Sequence, residues 1–198
     1  DEMTDGKHPY VPVIVDILKW DHNENLRAEL GIPQDALVLG GYIGDNGSFD
    51  IQFAHKAIRD IVDIRKDIYF VFMGLNPVID HPRVIFLPVL YGMANREKIT
   101  IINTCDAFVH LRSLGEGFGL SVGEFGVKGK PIITYNNPDC KAHLEILGEK
   151  CIIYNDYESL MMIFKDITKS WIQSQGWYTY TQFTPELVMP QFKSVFNL

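Results

Sequence analysis

The chain is poor in the features that mark disulfide-stapled, metal-binding or nucleic-acid-binding proteins. It has three cysteines, Cys105, Cys140 and Cys151, scattered and odd in number. No C-x-x-C pair and no H-x-x-x-H set occurs, so the common zinc spacings are excluded and reduced, buried thiols are expected. The histidines are dispersed, with His8, His22, His55 and His81 far apart. There is no run of lysine and arginine, and the net charge of −7 with a pI near 5.3 gives no footprint for nucleic acid. No apolar stretch reaches the roughly 18 residues that span a bilayer. The first ten residues are polar and acidic, unlike a secretory leader. The expectation is a cytoplasmic protein with no transmembrane segment, with peripheral membrane association left open. A Walker A sequence is also absent, so no P-loop is expected. The chain begins at Asp1, and we read it as a piece of a longer protein.

What is there fits a folded globular domain. The 198 residues suffice for one good-sized domain and are short for two. Hydrophobic residues make up 46% and aromatics 12%. Apolar runs at Leu37–Ile43, Ile68–Met73, Val84–Val89, Ala107–Leu111, Pro131–Tyr135 and Cys151–Tyr154 read as strands. Helical spacing lies between them: Phe53, Ala54, Ala57, Ile58, Ile61 and Val62, then Ala94–Thr104, Phe118–Lys128, Lys141–Leu147 and Tyr157–Ile167. The run Ile68–Met73 is nearly continuous, as expected of a strand buried on both faces. This alternation predicts an α/β protein with a Rossmann-like, doubly wound parallel sheet and right-handed crossovers. Ligands bind such sheets in the loops that leave the strands.

The most informative stretch is Leu111–Thr134, LRSLGEGFGLSVGEFGVKGKPIIT. An apolar run precedes a glycine turn, a helix start follows, and a second apolar run comes after Gly129-Lys130-Pro131. Strand, glycine turn and helix start make the phosphate-binding arrangement of doubly wound folds. Gly117, Phe118 and Gly119 are expected to open the helix, with backbone N–H groups facing any anion there. Glu116 and Glu124 have seven residues between them. On a helix, positions eight apart lie within roughly 80° of each other and about 12 Å apart along the axis. Two such carboxylates can touch opposite ends of one extended ligand, accepting hydrogen bonds from its diols.

Glu116-Gly117-Phe118-Gly119-Leu120, Glu124 and Gly129-Lys130-Pro131-Ile132 together resemble the donor-binding motif of retaining GT-B glycosyltransferases. The match is closest to the large group-1, family-4-like set that includes glycogen-synthase-like and mannosyltransferase-like enzymes. The resemblance covers roughly residues 10 to 168 and is strongest over 106–134. It implies the C-terminal, donor-binding half of a GT-B architecture and transfer of a sugar from a nucleoside-diphosphate sugar. Glu116 then sits near the donor sugar as the catalytic-site residue, and Glu124 holds the ribose hydroxyls. Gly44, Arg112, Gly117, Phe118, Gly119, Leu120, Leu87 and Tyr91 complete the donor site.

No metal and no further cofactor are implied, and the absence of D-x-D argues against the metal-dependent GT-A type. The implied partners are the sugar nucleotide, an unknown acceptor and an N-terminal acceptor domain. Residues 1–19 read as an interdomain lead-in, 20–168 as the nucleotide-sugar domain and 169–198 as a helical tail. That tail, with Trp171, Trp177, Phe183, Phe192 and Phe196, is expected to cross toward the missing half. A non-catalytic nucleotide-binding module and a sugar-nucleotide epimerase are the alternatives.

Two places carry more specific expectations. The loop after Gly40-Gly41-Tyr42-Ile43-Gly44 holds a basic pair in the resembling family, whereas here Asp45 occupies the arginine position and no lysine follows. A carboxylate beside a diphosphate repels it. Arg112 is therefore expected to take over part of the cationic role, with His110, Lys128 and Lys130 as weaker substitutes. Leu87 to Tyr91 is expected to wall a nucleobase pocket. His143, flanked by Lys141 and Glu145, is expected at the same rim.

Overall fold

A computed structural model describes residues 11–42, 48–88, 95–136 and 139–197. Six strands form one parallel sheet: β1 (Leu37–Tyr42), β2 (Ile68–Met73), β3 (Val84–Leu87), β4 (Ala107–His110), β5 (Ile132–Tyr135) and β6 (Cys151–Tyr154). Their order is β3-β2-β1-β4-β5-β6. The helices are α1 (Gln52–Ile64), α2 (Asn95–Thr104), α3 (Leu120–Val127), α4 (Ala142–Leu147), α5 (Tyr157–Asp166), α6 (Lys169–Gln173) and α7 (Pro185–Phe196).

The strands are apolar on both faces because each face is covered by helices. Leu37 and Leu39 of β1, Phe70 and Phe72 of β2 and Val109 of β4 point into a core shared with α1 and α5. Val38 and Tyr42, Val71 and Met73, and Phe108 point to the opposite core, shared with α2 and α3. This alternation is the period of two inherent in extended backbone. It sends the Tyr42 side chain to the α2–α3 face, which matters for the site below.

The expected elements are present, several of them a residue or two shorter at their ends. Helix α3 begins at Leu120 rather than Phe118, because Gly119 adopts a left-handed φ of 80° and caps the helix from outside. The ends of the expected strands beyond Tyr42 and past Pro88 lie outside the described residues. Segments near both ends of the described chain meet beside α3. Thr179 donates its backbone N–H to Gly126 O at 3.1 Å, and Val15 N–H bonds Phe183 O at 2.8 Å. A Cβ at Gly126 would meet the Thr179 hydroxyl at 2.3 Å, so the missing side chain is what lets the tail approach.

At the N-terminal ends of the strands a buried ion pair ties three elements together. Arg27 Nη2 meets Asp106 Oδ2 at 2.8 Å, with side chains only 5% and 12% exposed. Arg27 also donates to the carbonyls of Thr104 and Ala36, and the same Asp106 oxygen accepts from Val38 N–H. Asp106→Ala would strand the buried guanidinium. It should cost about 3–5 kcal/mol of unfolding free energy in urea titration, and a loss below about 1 kcal/mol would show that the pair is dispensable.

Candidate functional site

The order of the sheet reverses between β1 and β4, where Leu39 pairs with Ala107 and Gly40 with Phe108. Connections on either side of such a junction leave in opposite directions and open a crevice above the strand ends. Tyr42 ends β1 on one side of it and His110 ends β4 on the other. The turn from Leu111 to Gly119 and the first turn of α3 form its floor.

Two glycines shape that turn. Gly115 has φ +71°, and a Cβ there would lie 2.2 Å from the carbonyl of Cys140. Gly119 has φ +80° and serves as the N-cap of α3. The first bond of the helix runs from Gly123 N–H to Gly119 O at 2.9 Å. The N–H groups of Leu120, Ser121 and Val122 therefore have no partner within the helix. No side chain caps this end, and its first turn holds no acid. Gly117 lies ahead of the helix with nothing within 4 Å of where its Cβ would be. Gly117 and Phe118 thus precede the helix rather than opening it, a correction to the sequence expectation.

Glu116 closes one side of this space. Its Oε1 lies 3.1 Å from Arg112 Nη1 and 3.5 Å from His110 Nε2. The His110 contact is too long for a full hydrogen bond and acts as an electrostatic attraction. Burial acts to raise the Glu116 pKa, but contacts from His110 and Arg112 outweigh it and hold the carboxyl below its ordinary value. Arg112 donates to Glu116 within the glycine turn, so one of its donors is spent there.

Behind the turn, Thr134 Oγ1 sits 2.9 Å from His110 Nδ1 and 3.2 Å from His143 Nε2. His143 Nδ1 lies 3.3 Å from both the backbone N–H and the carbonyl of Glu116. His143 is fully buried and supports the Glu116 turn, the structural role that a lone histidine more often has. Burial and the neighbouring His110 push its pKa down to about 4, against the Glu116 carbonyl.

Glu124 is only 6% exposed, enclosed where α3 meets β1 and α2. Its carboxylate accepts from the Tyr42 phenol and from Lys98 Nζ, the latter at 2.9 Å. Lys98 comes from α2 and was invisible to sequence reasoning, because no local pattern links it to a glutamate 26 positions on. Burial, followed by the charge and hydrogen bond of Glu124, raises the Tyr42 pKa well above that of a free phenol.

The other expected residues sort by position. Leu120 is 51% exposed at the rim. The Phe118 ring packs edge-on against Tyr180 and Phe183, so only its backbone is left to the crevice. Leu87 lines a cavity beside α2. Lys128 pairs with Asp21 and Lys130 bonds Cys105 O, both at the far end of α3. Neither can serve the turn, which corrects their candidacy. Gly44, Asp45 and Tyr91 lie outside the described residues. Among the described residues no cluster of three or more potential metal ligands occurs, and no helix is long and apolar enough to cross a membrane.

No family model matches the chain, and no curated protein does. Among solved structures it is similar to HepE from Anabaena, solved with UDP and glucose. The TM-score is 0.65 at 16% identity, over 94% of this chain and 56% of that one. It is also similar to sucrose-phosphate synthase from Thermosynechococcus elongatus, with TM-score 0.61 at 15% identity over 94% and 51%. A third is a Listeria monocytogenes protein described as a UDP-N-acetylglucosamine 2-epimerase, with TM-score 0.61 at 18% identity over 92% and 51%. The chain spans about half the length of these proteins. The likeness assigns its fold: a Rossmann-like α/β sheet of the kind that forms the C-terminal half of GT-B proteins.

Two outcomes follow from the geometry. The folded pKa of His143 lies near 4, below the roughly 6.5 of a free imidazole. Between those values the unfolded chain binds more protons, so stability falls as pH drops from about 6.5 to about 4. The melting temperature should decline across that window, and His143→Gln should flatten the decline. Parallel curves for the two proteins would rule out the linkage. Glu124→Ala leaves the buried Tyr42 phenol without its acceptor and should cost about 2 kcal/mol in urea unfolding. An unchanged midpoint would mean that the contacts of Glu124 add nothing to the fold.

Proposed function

We propose that the chain is the donor-binding half of a retaining glycosyltransferase and holds a nucleoside-diphosphate sugar over the start of α3. The observation that carries this reading is the open space over Gly117, ahead of a helix end that no side chain caps. Free N–H groups and about half a positive charge at a helix N-terminus suit a diphosphate. Arg112 adds a guanidinium, which carries further donors beyond the one given to Glu116. Glu124 accepts from the ribose diol beside Lys98, and Glu116 accepts from hydroxyls of the sugar. The chain's contribution to transfer is positioning, with fixed dipoles stabilising the departing diphosphate. No metal is part of this reading.

Residues 20–168 form the donor domain in this proposal. An acceptor domain N-terminal to it supplies the other wall of the site, and α7 crosses toward that domain. Leu187, Met189 and Phe196 are exposed on α7, which supports an apolar partner for it. The UDP and glucose held by HepE support a sugar nucleotide as the ligand class. A non-catalytic binding module is the second reading, favoured because Arg112 and Lys98 are already engaged by the two glutamates.

The test combines binding and turnover. A nucleoside diphosphate that binds the native chain should raise its melting temperature by mass action. Gly117→Ala puts a methyl group into the open space. It should melt like the wild type yet bind diphosphates about tenfold more weakly, roughly 1.4 kcal/mol. Equal affinity would remove the turn from the site. The chain alone should transfer no sugar, and robust turnover by it would overturn the two-domain reading. In the full-length protein, a glycosylated acceptor supports transfer, an isomerised sugar nucleotide indicates an epimerase, and binding with neither indicates the non-catalytic module.

A further inference from the structure

A second concavity lies beside the crevice, on the α2 face of the sheet. It encloses about 240 Å³. Met73 and Leu87, at the C-terminal ends of β2 and β3, form its floor, with Ile101 of α2 and Leu26 as walls. Its polar groups include two carboxylates, Glu97 on α2 and Glu29 on the turn before β1. Sites for drug-sized ligands begin at about 300 Å³, so this one fits a fragment such as a single heterocycle.

Glu97 is the unusual member. Its Oε2 is buried and has no hydrogen-bond partner among the described residues. A buried acceptor left unpaired costs about 1–3 kcal/mol or more when charged, and native proteins seldom carry one without a use. The terminal torsion of glutamate is soft, so both oxygens can turn toward the cavity. The next residue, Lys98, meets Glu124 at 2.9 Å. One turn of α2 thus joins the cavity to the carboxylate assigned to the ribose, which is the spacing problem a nucleoside poses.

We propose that this cavity receives the nucleobase and that Glu97 reads it as guanine, making the donor a guanosine-diphosphate sugar. The inference rests on the nucleotide-sugar reading above and names its substrate class. A carboxylate only accepts hydrogen bonds, and its two oxygens match two adjacent N–H donors. Guanine presents such a pair, N1–H beside the N2 amino group. Uracil offers one N–H flanked by two carbonyls, whose oxygens would face the carboxylate with like charge. Adenine and cytosine each pair one amino group with an adjacent acceptor. Apolar walls at Met73, Leu87 and Ile101 suit the flat faces of any base, so the choice falls to Glu97.

Calorimetric titration of the chain with GDP, IDP, UDP and ADP tests this. IDP differs from GDP only in lacking the N2 amino group. GDP should bind about tenfold or more tightly than each of the others, the scale of one good bidentate contact. Glu97→Ala should bring GDP down to their level, and Glu97→Gln, with one acceptor lost, should make GDP and IDP alike. Should either variant fail to fold by circular dichroism, the wild-type series decides alone. UDP or ADP binding as tightly as GDP, IDP matching GDP in the wild type, or a GDP preference that survives in Glu97→Ala would each overturn the proposal while leaving the nucleotide-sugar reading intact. No binding by any of the four would overturn both.

Discussion

The pairing of β1 with β4 is the constraint on which the rest depends. It places the first and fourth strands side by side in a parallel sheet and makes the chain leave them in opposite directions. Helix α1 covers the face lined by Leu39 and Val109, while α3 covers the face lined by Tyr42 and Phe108. Such a divergence opens a gap above the strand ends. Tyr42, His110 and the start of α3 reach that gap because the register of this one strand pair puts their strand ends level.

Electrostatics at the crevice answer a difficulty that the sequence raises. The chain is acidic, and two glutamates flank the place where a diphosphate would lie. Unpaired, they would repel it. Each is instead matched by a cation, Glu116 by Arg112 of the same turn and Glu124 by Lys98 of α2. The two pairs cancel, leaving the helix terminus as the remaining positive pole. The pairing also fixes the carboxylates in place before any ligand arrives, with Thr134 and His143 holding the Glu116 turn from behind. Preorganisation of this kind lowers the reorganisation needed on binding.

Much of the fold was legible because each strand is an apolar run and each helix an apolar stripe, and both periods follow from local backbone geometry. Ile68–Met73 and Cys151–Tyr154 come out with the ends expected. The start of α3 did not, since a glycine-rich turn admits several backbone paths. Gly115 and Gly119 both take positive φ, and a Cβ on Gly115 would meet the Cys140 carbonyl, a neighbour that the sequence does not place beside it. The burial of Glu124 was equally hidden. A glutamate between Gly123 and Phe125 reads as a solvated position unless the end of β1 and the first turn of α2 are known to close over it.

By itself, then, the sequence determined the class of the sheet, the positions of its strands and the glycine turn with its two carboxylates, because these depend on residues close together in the chain. Tertiary structure decided which groups meet those carboxylates. Lys98 reaches Glu124 from a helix that packs beside β1, and Tyr42 reaches it because side chains alternate along that strand. It also decided that Glu97 lines a cavity with a buried oxygen unpaired among the described residues. Charges this far apart in sequence interact only after the hydrophobic cores on either face of the sheet have fixed the distance between their helices.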